Sequence, residues 1–128
     1  MTLKISTQVY VKGSIEAADF YCSAFGLEKS LEIKNEAKNE YMHCELTLDG
    51  KLFMAVSEAP KNCDTGEKKS WQTMAFNVSD IGSEEAVRRA FDVLSNGGKV
   101  IDSLGPCDWN RYCANLIDKY GVFWWIAI

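Results

Sequence analysis

One histidine stands in the 128-residue chain, His43, and a carboxylate, Glu45, follows two positions later. On an extended strand, side chains two apart leave the same face, so imidazole and carboxylate are predicted to meet. A neutral imidazole beside a carboxylate can take or give a proton near pH 7. The plainer expectation is that the two simply hydrogen-bond each other and neighbouring wall residues. A divalent ion held by His43, Glu45 and water is a third possibility. Two donors without a second pair make a weak metal site.

Aromatic and sulfur side chains supply the other candidates. Trp71 and Trp125 can stack a planar or cationic guest, or serve as ordinary core or interface packing. Trp109 and Trp124 read as structural. Cys107 and Cys113 need a neighbouring base before either becomes a nucleophilic thiolate. Glu67-Lys68-Lys69 reads as a solvated loop cluster. Gly97-Gly98 reads as a helix stop, since no strand–glycine–helix order follows it.

The elements that must position these residues follow from periodicity. Leu3, Ile5, Val9 and Val11 alternate with Lys4, Ser6, Gln8 and Tyr10, which predicts a strand. Ser14 is the expected N-cap of a helix with one apolar face, Ala17, Phe20, Tyr21, Ala24 and Phe25, and Gly26 is its stop. Strands are expected over 29–35, 41–49 and 52–57, the last two joined at Asp49-Gly50. The order then repeats. Residues 72–78 read as a strand, and Ser83 caps a helix with Val87, Ala90, Phe91 and Leu94 on one face. Strands follow over 99–104, 112–118 and 123–128. Phe20 and Phe91, Gly26 and Gly97, and Gly50 and Gly121 are each 71 positions apart. A duplicated βαβββ unit accounts for the coincidence. The expected organisation is a single domain over 1–128, with module 1 at about 1–58, a polar linker at 59–69 and module 2 at about 70–128.

Composition bounds the function. Hydrophobic residues make up 47% and charged residues 25%, as in an ordinary folded domain, which excludes intrinsic disorder. The net charge of −4 argues against nucleic acid or anionic lipid as the partner. Five cysteines, an odd number without C-x-x-C spacing, fit a reduced compartment, and the first residues lack the apolar run of a signal peptide. No apolar run is long enough for a membrane span. A cytoplasmic location is the expectation.

Two βαβββ modules in this length resemble the vicinal oxygen chelate superfamily of glyoxalases, bleomycin-resistance proteins and extradiol dioxygenases. Within it, the chain resembles the PhnB-like branch, often labelled demethylubiquinone methyltransferase. The resemblance rests on Glu16-Ala17-Ala18-Asp19-Phe20-Tyr21 with Phe25-Gly26, Met42-His43-Cys44-Glu45-Leu46, Asn77-Val78-Ser79-Asp80 and Asn96-Gly97-Gly98-Lys99-Val100. Its strongest part is Trp109 followed by Asp118-Lys119-Tyr120-Gly121-Val122-Phe123-Trp124. Asn110 and Ala114 stand where the branch usually has glycine. The resemblance implies an α+β fold, a curled mixed β-sheet with a concave cleft and the helices outside. It also implies a small-molecule ligand and a homodimer.

Alternation assigns the faces. Leu3, Ile5, Val9 and Val11, then Met42, Cys44, Leu46 and Leu48, then Met74, Phe76 and Val78 are expected against the helices. Ser6, Gln8, Tyr10, Tyr41, His43, Glu45, Trp71, Thr73, Asn77, Met54 and Trp125 are expected on the opposite face, which the resemblance makes the cleft. Metal-using relatives place four ligands at positions that correspond here to Ser6 (or Gln8), Met54, Thr73 and Trp125. Thioether and indole do not ligate a hard divalent ion, so no metal cofactor is expected. Two functions then compete. One is a metal-independent enzyme in which His43 moves a proton on a small carbonyl or oxyanion substrate, Glu45 sets the tautomer, and Gln8 or Asn77 orients the ligand. The other is a sequestering protein that holds an aromatic cation on Tyr10, Trp71 and Trp125.

Overall fold

The computed structural model describes residues 3–60 and 74–128. Residues 3–22 and 26–60 form one compact unit, and residues 23–25 with 74–128 a second. Trp71, Thr73, Cys63 and most of the expected linker lie outside the described residues.

The first unit runs β1 (Gln8–Val11), α1 (Ser14–Phe25), β2 (Glu28–Asn35), β3 (Glu40–Leu48) and β4 (Lys51–Glu58). Its sheet has the order β1-β4-β3-β2. β1 lies parallel to β4, and the other neighbours are antiparallel. The second unit runs β5 (Phe76–Val78), α2 (Glu84–Ser95), β6 (Lys99–Cys107), β7 (Asn110–Ile117) and β8 (Phe123–Ala127). Its order, β5-β8-β7-β6, repeats the first, again with a parallel pair at the start. The α+β class and the duplicated βαβββ unit are therefore as read from the sequence, with the strands divided between two mixed four-stranded sheets.

Helix ends follow local chemistry in one unit and long-range chemistry in the other. Ser83 caps α2, its hydroxyl accepting from Ala86 N at 3.1 Å. α2 lies against β6, β7 and β8 and buries Val87, Ala90 and Leu94. Ser14, the expected cap of α1, does not cap it. Gly13 holds the N-cap position in a left-handed conformation, and the Glu58 carboxylate accepts from Gly13 N at 3.1 Å and Ser14 N at 2.9 Å. The Ser14 side chain is buried and turned to other partners. It donates to Glu58 Oε1 at 2.7 Å and accepts from Tyr41 N at 2.8 Å. Gly26 ends α1 in the left-handed region, its N–H returning to Cys22 O at 2.8 Å.

Three parity expectations need correction. The first strand is shorter than its alternation, because only Gln8–Val11 has a partner. Leu3 and Ile5, expected in the core, are 90% and 97% exposed. Met74 is likewise exposed and precedes β5. In β3, Ile33 pairs with His43 but Lys34 pairs with Tyr41, so Met42 is an unpaired bulge. The bulge turns Met42 outward, 63% exposed, and carries Tyr41 into the core, 1% exposed. Leu48, at the hairpin end, is exposed as well.

Candidate functional site

Val9, Val11, Cys44, Leu46, Met54 and Val56 share the buried face of the first sheet, as the register requires. The opposite face then carries Gln8, Ala55, Glu45 and Leu31 in one cross-strand row. Tyr10 with Ser57, and His43 with Ile33, stand on the same face. His43 and Glu45 are thus brought together as parity predicts. Their Nε2 and Oε2 atoms are 3.1 Å apart, and the side chains are 34% and 33% exposed. Gln8 Nε2 donates to Ser57 Oγ at 3.1 Å and to Val9 O at 3.1 Å. Tyr10 projects into solvent. The arrangement offers a half-exposed imidazole oriented by a carboxylate, with an amide, a hydroxyl and a phenol on the same surface. Such a set can exchange a proton with, and hydrogen-bond, a small polar molecule.

Tyr41 does not belong to this surface. Its ring is buried and its hydroxyl reaches out to donate to Glu32, an exposed residue of β2. Burial, then the hydrogen bond to Glu32 and the proximity of Cys44, push its phenol far above the ordinary value, so it stays protonated.

In the second sheet, Trp125 pairs with Asn77 on β5 and Asn115 on β7, and Asn115 pairs in turn with Asp102 on β6. Asn115 Nδ2 donates to Asp102 Oδ2 at 3.0 Å. Trp125 is half-buried, while its neighbour Trp124 is buried on the other face with its indole N–H on Asp118 Oδ2 at 2.9 Å. Trp124 also meets the Phe76 ring edge-on at 5.4 Å. A depression of about 430 Å³ opens beside Trp125, lined by Asp102, Cys107, Trp109, Cys113 and Asn115 among others. Trp109, read as structural, is an exposed wall of this depression. Asn77 and Trp125 therefore share a face, as expected, and stand in one cross-strand row of it. Asp102, Asn115 and Ser57 were not anticipated. A polar Asn115 inside an apolar strand was the available signal for the second of these.

Met54 is not on the face of His43. It is fully buried, and it pairs with Leu46. The reason is a second register shift: Leu46 pairs with Met54 but Thr47 with Leu52, so the first sheet carries one extra residue at Phe53. The second sheet has no such insertion between β7 and β8. The residue in the row of Trp125 is thus matched in the first sheet by Ala55, and the 71-residue offset of the glycines does not hold past Phe53. Ser6 lies outside the strands and is exposed. Among the described residues, no group of three or more His, Cys, Asp or Glu side chains is arranged to hold a metal ion. Ser6, Met54 and Trp125 offer a hydroxyl, a thioether and an indole, which together make no set of donors for a hard divalent ion. No helix of the described residues is long and apolar enough to cross a membrane.

Comparisons with known proteins bear on the whole chain. The family described as 3-demethylubiquinone-9 3-methyltransferase matches residues 4–127. A protein from Bacillus cereus, described as a putative 3-demethylubiquinone-9 3-methyltransferase, PhnB protein, is 25% identical with a TM-score of 0.78, covering 98% of each chain. The protein PA1353 from Pseudomonas aeruginosa is 21% identical with a TM-score of 0.79, covering 98% of this chain and 97% of its own. A glyoxalase/bleomycin resistance protein/dioxygenase family enzyme from Burkholderia phytofirmans PsJN is 15% identical with a TM-score of 0.65, covering 94% of each. No curated protein matches the sequence.

Proposed function

The chain belongs to the PhnB-like family described as 3-demethylubiquinone-9 3-methyltransferase, within the vicinal oxygen chelate superfamily, and from that premise we propose that it binds a small carbonyl compound or oxyanion against the His43 face of its first sheet. The observation that carries this reading is the 3.1 Å contact between His43 Nε2 and Glu45 Oε2 on a half-exposed surface. With the Nε2 proton donated to Glu45, Nδ1 is left with its lone pair free to accept a proton from a bound molecule. The imidazolium so formed is stabilised by the same carboxylate, and the proton returns to product in a later step. Gln8, on the same face, would orient the guest. The name of the family is not by itself grounds for methyl transfer.

His43→Gln tests the proposal. The variant should keep its melting temperature and lose at least tenfold in affinity or turnover for the molecule bound, across a panel of small carbonyl compounds, carboxylates and phosphonates followed by calorimetry. A variant that binds every panel member as the parent does, or that loses only stability, overturns it.

A second reading rests on Trp125 and Trp109 beside the depression of the second unit. There the chain would sequester an aromatic cation without turnover, using indole faces. Quenching of tryptophan emission by such cations, abolished in Trp125→Ala, would favour this reading over the first. We also propose that the protein carries no resident metal and forms a homodimer. Stoichiometric zinc, nickel or iron in untagged protein would overturn the first, and a light-scattering mass of one chain the second.

A further inference from the structure

We propose that Cys107 and Cys113 form a redox-active dithiol, a site of reversible two-electron oxidation by a hydroperoxide in the wall of the second unit's depression. Cys113 Sγ donates to Cys107 Sγ at 3.3 Å, and both are free thiols. Both line the depression, together with Trp125 and Asp102. The strands that hold them can yield. β6 and β7 pair at Gly105 with Cys113 and at Cys107 with Asn110, and the register shifts between those two pairs. A ladder already irregular there resists little as the sulfurs close to a bond of about 2.05 Å.

The two thiols are unequal, which assigns their roles. Cys107 is half-exposed and Cys113 is buried. Burial pushes the Cys113 thiol up, as do the hydrogen bond and charge of Cys107 and the charge of Asp102, against a smaller opposite effect of the Trp125 side chain. Cys113 therefore stays protonated while Cys107 meets the oxidant. The Cys107 sulfur, which accepts the Cys113 S–H, attacks the outer peroxide oxygen. The O–O bond breaks, and alcohol (or water, from hydrogen peroxide) leaves with the thiol proton, giving a sulfenic acid. Cys113 sulfur then attacks the Cys107 sulfur. The S–S bond forms, the S–O bond breaks, and the departing hydroxide takes the Cys113 proton as water. Two thiols and one hydroperoxide become one disulfide, one alcohol and one water.

The test uses the full chain with stoichiometric hydrogen peroxide, followed by alkylation, intact mass and peptide mapping. The expected product has lost two hydrogens and contains a Cys107–Cys113 link that dithiothreitol reverses. Its tryptophan emission shifts, because Trp125 lines the same depression as both cysteines. Cys113→Ser should stop at a Cys107 sulfenic acid captured by dimedone. Cys107→Ser should give neither link nor dimedone adduct. Circular dichroism of each variant confirms that it folds. The proposal is overturned if both cysteines of the oxidised parent remain fully alkylated. It is equally overturned if the first link formed involves Cys22, Cys44 or Cys63, or joins two chains.

Discussion

Glu58, the last residue of β4, caps the helix that begins at Ser14, with Oε1 at 2.9 Å from Ser14 N and 2.7 Å from Ser14 Oγ. The contact spans 44 positions and ties α1 to the strand beside β1. Ser14 passes it on to Tyr41 N, so one carboxylate fixes a helix start and a strand start together.

Replacing Glu58 by Gln should therefore lower stability at pH 7 by roughly 1–2 kcal/mol, the usual worth of an N-terminal cap. Burial opposes the charge of Glu58, but hydrogen bonds from Ser14 N, Ser14 Oγ and Gly13 N outweigh it and hold the carboxyl below its ordinary value. A carboxyl depressed in the folded state stabilises fully above the unfolded value and loses that contribution as pH falls through the folded one. The gap between parent and variant should accordingly close below about pH 4. Urea unfolding at pH 7 and pH 3.5 measures it, and a gap that widens in acid contradicts the assignment.

Gly98→Ala should be severely destabilising. A Cβ there would stand 2.3 Å from Ile117 O and 3.0 Å from Asp118 Cα, both backbone atoms that cannot rotate away. A cost of roughly 3 kcal/mol is expected from such overpacking. Gly50→Ala is the control, since its Cβ meets nothing within 4 Å and pays only for a φ of +78°. That strain is about 1 kcal/mol. Thermal unfolding of the two variants should rank them in this order.

Asp118→Ala removes a buried carboxylate that accepts from Tyr120 N at 2.9 Å, Val122 N at 3.1 Å and Trp124 Nε1 at 2.9 Å. Donors left unpaired in the interior should cost roughly 2–4 kcal/mol. A change in Trp124 emission should accompany the loss. An unaltered spectrum would place the indole elsewhere.

Met54 discriminates between core and functional face. Met54→Leu should cost under about 1.5 kcal/mol, as volume-conserving core exchanges do. Met54→Asn should cost roughly 3 kcal/mol or more, because its amide would be buried among Leu46 and Val56 without partners. Equal, small effects would return Met54 to an open surface.

The sequence made the periodic and punctuated parts legible. Helix α2 shows its cap at Ser83, and the turns show Gly50 and Gly121, because those signals act within a few residues. The pairing of His43 with Glu45 was legible because no bulge separates them. The register shifts at Met42 and Phe53 were not, since a register is a property of two strands together and leaves no local mark. Tyr41 and Met54 were misplaced for that reason alone. Leu3 and Ile5 alternated correctly but found no partner strand, and alternation without pairing buries nothing. The cap on α1 came from a carboxylate far along the chain, beyond the reach of any local rule.

The one-residue register shift at Phe53 makes the two hairpins of this repeat non-interchangeable. Grafting β8 in place of β4 residue for residue would supply one position too few, and each side chain beyond the turn would emerge on the reverse of its sheet. A swap between the copies keeps its inner and outer faces only when it carries the extra residue along.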